Sequence, residues 1–202
     1  MRKILLLLFI GFLFFSCETG LNDDGIRHPD DTSHLGPGSN PGSDYQPPWF
    51  YDAAVTSASM FYYDSTVPGV GYTPDRPPNN HFTNPNERLG VCVDYSIHFA
   101  LLTDSYVISS NTNSAIRGIY EIVGPIEVPM DDGSNVRLYR NGIIYNSRDR
   151  TEAWELRKVG EFDPSLLLGY SEENHAWNLT KDGWIVDVMV KDFGWPNWYQ
   201  QR

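Results

Sequence analysis

The stretch "NHAWNLTKDGWIVDVMV", residues 174–190, sets a histidine and an aspartate twelve positions apart in two short apolar runs joined by a turn. Side chains on a strand alternate between faces, so whether His175 and Asp187 can meet depends on how the two runs pair. A two-residue loop makes paired positions sum to an odd number and puts the two groups on opposite faces. A three-residue loop of Lys181, Asp182 and Gly183 makes the sum even, and with Gly183 left-handed it is the common type I turn with a G1 bulge. In that register Trp177 faces Asp187. His175 is then the diagonal neighbour of Asp187 on the same face, about 7–8 Å away between backbones and within side-chain reach. Trp184 falls on the other face from Trp177.

Working outward, the chain has 202 residues and a formal charge of −11. Arg2 and Lys3 precede an apolar run from Ile4 to Phe15 that ends at Ser16 and Cys17. Residues 1–16 read as an export signal, since the run is short for a bilayer span. Ser16 before Cys17 resembles a bacterial lipoprotein signal with Cys17 as the lipid-modified first residue. Simple secretion with cleavage elsewhere is the alternative, because Phe14 and Phe15 are bulky for such a site. Residues 17–47 are dense in Gly, Pro, Ser, Asn and Asp and cannot bury enough surface to offset their ordering entropy, which predicts a flexible tether. Residues 48–202 then form one domain by length. The acidic balance argues against nucleic acid as a partner, since phosphate binding runs on clustered Lys and Arg.

Along the domain, "WFYDAAVTSASMFYY" places Phe50, Ala54, Ala58, Phe61 and Tyr62 on one helical face. Residues 64–87 are studded with Pro, Gly and Asn and read as loop. "GVCVDYSIHFALLTD" predicts a second helix, with Tyr95, Phe99 and Leu102 in one stripe, Ile97 and Leu101 beside it, and Gly90 at the bend before it. From Ala115 the texture turns to strands. "AIRGIYEIVGPIEV" is interrupted by Gly124 and Pro125, and Asn141-Gly142 between two apolar runs signals a hairpin. "TEAWELRKV" fits a helical turn or a strand. "FGWPNWYQQR" reads as an aromatic tail in which Pro196 ends regular structure. Helices first and antiparallel strands after predict an α+β domain with N-terminal helices packed on an antiparallel sheet.

Cys17 and Cys92 are the only cysteines. Lipid on the first leaves no second cysteine in the mature chain to pair with Cys92, which is then either a buried inert residue or a thiol kept for chemistry. Cys92 falls in the first turn of the second helix, where backbone N–H groups and the helix dipole favour a thiolate, while Asp94 opposes it. An aspartate beside an imidazole fixes its tautomer and stabilises its protonated form. A nucleophile is the natural third member, through a thiolate–imidazolium pair.

"RLGVCVDYSIHFALL" followed by "HAWNLTKDGWIVDV" resembles the transglutaminase-like superfamily, whose members share a papain-like fold. Arg88, Gly90 and Cys92 are similar to the segment leading into its nucleophile. His175, Ala176 and Trp177 look like its histidine motif, and Gly183, Trp184 and Asp187 like the turn, aromatic and acid that follow. The resemblance covers about thirty residues in two blocks. Ser96 and Ile97 depart from its helix pattern, and residues 125–173 match nothing in it. It implies a Cys92, His175, Asp187 triad and an oxyanion hole made by the Cys92 N–H with an upstream side chain, for which Asn86 and Trp49 are the candidates.

The expectation is a thiol-dependent amide hydrolase or acyltransferase acting through a Cys92 thioester on a protein or peptide, held at the bacterial envelope by lipid on Cys17. The alternative is a non-catalytic surface module that keeps the fold for binding. No metal-ligand spacing occurs and no cofactor is expected. His28, His34 and His81 read as solvated, and His98, six residues past Cys92, points about 240° round the helix from it.

Overall fold

The computed structural model describes residues 46–64, 88–168, 174–194 and 197–202. The segments expected to be the export signal and most of the tether, most of the loop after Asp64, and Asn86 lie outside these residues. Eight strands form one antiparallel sheet. In chain order they are β3 (Tyr106–Ser109), β4 (Gly118–Ile126), β5 (Val136–Tyr139), β6 (Gly142–Asn146), β7 (Ala153–Gly160), β8 (Ala176–Leu179), β9 (Trp184–Val186) and β10 (Tyr199–Gln201). Their spatial order is β10-β9-β8-β3-β4-β7-β6-β5. Two further short strands, β1 (Phe61–Tyr63) and β2 (Arg88–Gly90), pair in parallel as a separate ribbon. The α+β class with an antiparallel sheet is therefore as expected.

Three helices accompany the sheet: α1 (Tyr51–Met60), α2 (Cys92–Thr103) and α3 (Val188–Asp192). The period-2 rule sorts the central strands between two cores. Val107, Ala176 and Val186 join the large cluster that holds Ala54 of α1, Cys92, Tyr95 and Phe99 of α2, and Val190 of α3. Their neighbours Ile108, Trp177 and Ile185 face the other way, into a smaller cluster with Leu166 and Leu168. A 3₁₀ turn at Pro164–Leu166 covers that second face, and the Trp177 indole donates to the Leu166 carbonyl at 2.9 Å.

Several details differ from expectation. Phe61 and Tyr62 leave the first helix and open β1, because the backbone turns extended at Phe61. Leu101 and Leu102 are 46 % and 50 % exposed, so the buried stripe of α2 ends at Ala100. "TEAWELRKV" resolves as strand, β7, in register with β4 across a bulge at Ile122–Gly124, and β4 runs on through Pro125. The stretch after Val186 becomes α3 rather than more strand, and the aromatic tail re-enters the sheet as β10 beside β9. The β5–β6 turn is centred on Arg140 and Asn141, with Gly142 already paired to Tyr139. The physical reason lies across the sheet: a Cβ at Gly142 would run into the Leu156 carbonyl of β7.

Gly142→Ala is expected to destabilise the fold by about 1–3 kcal/mol through that overlap. Urea denaturation checks it by a lower midpoint at unchanged slope.

Candidate functional site

β8 and β9 pair Asn178 with Val186 and Leu179 with Ile185, the even-sum register, and Gly183 closes the turn at φ 93°. Continuing that register sets Trp177 opposite Asp187. His175 Nε2 then meets Asp187 Oδ2 at 2.5 Å, with both side chains buried. Asp187 does a second job. It is the N-cap of α3, and its Oδ1 accepts the Val190 N–H at 3.2 Å, so both carboxylate oxygens are committed. The imidazole lies on the Trp177 indole, centroids 5.5 Å apart and planes 21° from parallel. Ring orientation is thus set by a hydrogen bond at one edge and an aromatic face beneath.

The backbone of His175 is clasped by Ser110, just past the end of β3. Ser110 N–H donates to the His175 carbonyl at 3.0 Å, and its hydroxyl oxygen accepts the His175 N–H at 3.1 Å. The preceding Asn174 is left-handed at φ 64°, and its Oδ1 accepts both the N–H and the hydroxyl of Thr112 at 3.0 Å. These two contacts pin the mouth of β8 to the turn after β3. Neither Ser110 nor Asn174 was singled out from the sequence, since the contacts are with residues about 65 positions away.

Cys92 is the first residue of α2 and is 0 % exposed. α2 turns back into β3 through left-handed Asp104, and β3 is antiparallel to β8, so α2 runs roughly along β8 in the same sense. The two are tied where Asn178 donates to the Ser96 carbonyl at 2.9 Å. Cys92 lies one turn before that tie, about 6 Å along the helix. His175 lies three residues before it, about 10 Å along the strand. Both therefore sit at the same end of the layer, and Cys92 shares its buried cluster with Ala176 and Val188, the chain neighbours of His175 and Asp187. The imidazole stacks toward the Trp177 face while α2 covers the Ala176 face, so an approach of sulfur to ring runs round the start of β8, not through the sheet. The sulfur itself is disulfide-bonded.

A second buried group stands two residues on. Asp94 is 4 % exposed. Its Oδ2 accepts the Val91 N–H at 2.8 Å, capping α2, and its Oδ1 accepts the Arg148 N–H at 3.3 Å from the β6–β7 loop. The Tyr145 phenol of β6 also faces the carboxyl. Burial pushes Asp94 up to about 7, only partly offset by those bonds, and pushes Tyr145 well above its ordinary range. Around it, Arg148 pairs with Asp64 at 2.5 Å, and Arg88 grips Asp149 at 2.7 Å and Glu152 at 2.9 Å. Burial works against the Asp149 carboxylate, but Arg88, Ser147 and Thr151 outweigh it and hold it below the usual range. Arg88, read as part of the approach to the nucleophile, is the clamp between β2 and this loop.

Of the oxyanion-hole candidates, Asn86 lies outside the described residues. Trp49 is spoken for otherwise: its indole donates to Asp182 Oδ2 at 2.9 Å at the β8–β9 turn. His98 lies against Ser57 and the Phe61 ring, and burial lowers it from its ordinary value. Among the described residues no cluster of metal-ligating side chains occurs. Comparison of the chain with family models, curated proteins and solved structures finds no match.

Replacing Asp187 by Ala strands a buried imidazole and uncaps α3, and should cost about 3–5 kcal/mol. Asp187→Asn keeps one oxygen to accept the Val190 N–H and turns an amide N–H toward His175 Nε2, which must then be the unprotonated, accepting nitrogen, and should cost less than the alanine change; chemical denaturation of the pair checks the ranking. Asp94 gives a pH signature. Its folded value, about 7, lies above the 3.8 of an ordinary carboxyl, so between these limits the folded chain holds the proton more often than the unfolded one. Its contribution is fully present at the acid end of that window and is lost as pH rises through it, with a slope of up to about 1.4 kcal/mol per pH unit. Asp94→Asn should remove this falling component from stability measured against pH.

Proposed function

We propose that the chain is a thiol-dependent amide hydrolase or acyltransferase of transglutaminase-like, papain-like architecture, with Cys92 as nucleophile, His175 as proton carrier and Asp187 as the group that orients the ring. The observation that carries this reading is the buried 2.5 Å His175–Asp187 bond at the start of β8, the end of the strand toward which the Cys92 end of α2 lies. Asp187 takes Nε2, which leaves Nδ1 to exchange the proton with sulfur.

In the reaction, Cys92 Sγ attacks the amide carbonyl carbon as His175 accepts the thiol proton. The tetrahedral adduct collapses, the C–N bond breaks, and the proton passes from His175 to the leaving amine, giving a thioester. Water or a second amine then attacks the thioester, loses a proton to His175 and releases the Cys92 thiol. Hydrolysis is the favoured outcome, since water needs no binding site while an amine does. The chemistry requires the reduced thiol, so the disulfide must first be opened by a thiol reductant, itself oxidised in the exchange. Substrate would be a protein or peptide, with the domain held at the bacterial envelope by lipid on Cys17 once the disulfide is open, since Cys17 and Cys92 are the only cysteines and a lipidated thiol cannot also form one; nucleic acid is not expected as a partner.

A second reading is favoured by one specific observation: Cys92 is wholly buried and disulfide-bonded. That is the state of a structural cysteine, and it fits a surface module that retains the fold for binding a protein or glycan.

The two readings part on the reduced full-length chain. Labelling by an electrophilic amide-like probe should mark Cys92, and His175→Ala should slow labelling by about a hundredfold or more. Cys92→Ala should lower peptide hydrolysis or amine incorporation by about a thousandfold or more. Activity that survives Cys92→Ala rejects the mechanism, and a reduced Cys92 that resists the probe favours the binding module.

A further inference from the structure

Asp94 is the buried titratable group that the proposed triad does not use, and its position has two sides. Toward the helix, it receives the Val91 N–H at 2.8 Å and so closes the turn from which Cys92 projects. Toward the sheet, it receives the Arg148 N–H, which fastens the β6–β7 loop to that same turn. We infer that Asp94 is a positioning residue: it locks the Cys92 turn of α2 onto the β6–β7 loop and sets the pH range over which the Cys92 thiol reacts.

The inference rests on the reading of Cys92 as nucleophile and adds a control to it. Asp94 is two residues from Cys92 in the first turn, where a carboxylate caps the helix but also sets a negative charge beside a developing thiolate. The charged groups facing it come from every side. Tyr145 stands opposite on β6, with Arg148 and Asp149 on the loop. Arg88 on β2, and His98 further along α2, line the same small cavity beside Asp94, together with Glu152. Arg148 spends its guanidinium on Asp64, and Arg88 on Asp149 and Glu152, so the nearby cations are already paired with other acids. With those cations paired elsewhere, burial raises Asp94 to about 7, so it exchanges its proton near neutral pH. Below that pH the turn is capped by a neutral acid and the thiolate meets no neighbouring negative charge. Above it, ionised Asp94 strengthens the cap and opposes the thiolate.

The test is the rate of iodoacetamide alkylation of Cys92 against pH, read by mass spectrometry on the reduced full-length chain. Asp94→Asn keeps an oxygen for the Val91 N–H and removes the charge. Its alkylation midpoint should fall by about one pH unit, with a gain in rate of up to about tenfold above pH 7, where Asp94 is ionised, and none well below it, where Asp94 already carries its proton. Tyr145→Phe removes a bond that favours the ionised carboxyl, so Asp94 stays neutral to higher pH, and the midpoint should fall by a smaller amount. If Asp94→Asn does not fold, Tyr145→Phe decides alone. A residue with only a structural role would lower the melting temperature and leave the midpoint where it is. An unmoved or raised midpoint in the folded variants overturns the inference while leaving the triad intact. A wild-type thiol that alkylates at no pH overturns the reading of Cys92, and this inference with it.

Discussion

The pairing of β8 with β9 is the constraint on which the rest turns. Three loop residues, closed by Gly183 in the left-handed region, set an even-sum register. A slip of one residue would turn Trp177 out of the lower core and carry Asp187 to the wrong face, because strand side chains alternate strictly. The register is held by burial on both faces: Ala176 and Val186 under the helices, Trp177 and Ile185 over the 3₁₀ turn. Given that register, an imidazole and a carboxylate are forced together away from water. Burying either alone would be costly, and together each answers the other. Ser110 and Asn174 then hold the backbone so that the ring does not swing.

Around this pair the acidic chain handles its charge by pairing. Asp64 with Arg148, and Asp149 and Glu152 with Arg88, form two clasps that join the β1–β2 ribbon to the β6–β7 loop. The loop in turn reaches the capped start of α2 through the Arg148 N–H and Asp94. The Cys92 turn is thus fixed from three directions: by the helix cap, by the loop, and by Asn178 reaching up from β8 to the Ser96 carbonyl. The Asp94 carboxyl, raised by burial, sits at the centre of that arrangement.

How far the residues could be read in advance varied with the range of the forces involved. The α2 span, the β8–β9 register and the role of Gly183 were legible, because periodicity and turn chemistry act within a dozen residues. Phe61 and Tyr62 were misassigned because aromatic residues suit a helix face and a strand equally, and pairing with β2, more than twenty residues on, decided for strand. Leu101 and Leu102 carry the apolar pattern but lie where α2 has run past the core. The turn before Gly142 moved by one residue because a third strand, β7, approaches too closely for any Cβ there. Asp94 was visible as a charge near Cys92, but its burial under Tyr145 and the loop was not.

By itself the order of residues determined an α+β class, a helix with Cys92 in its first turn, and a hairpin whose parity lets His175 and Asp187 meet, since each depends only on local spacing. Tertiary structure alone decided that the 2.5 Å bond forms in a buried site, that Ser110 and Asn174 brace it, and that the β6–β7 loop closes over the Cys92 turn. It also decided that Cys92 lies fully buried. Apart from the twelve-residue hairpin bond itself, these depend on contacts between segments 54 to 65 positions apart, whose meeting is set by how the whole sheet packs against its helices.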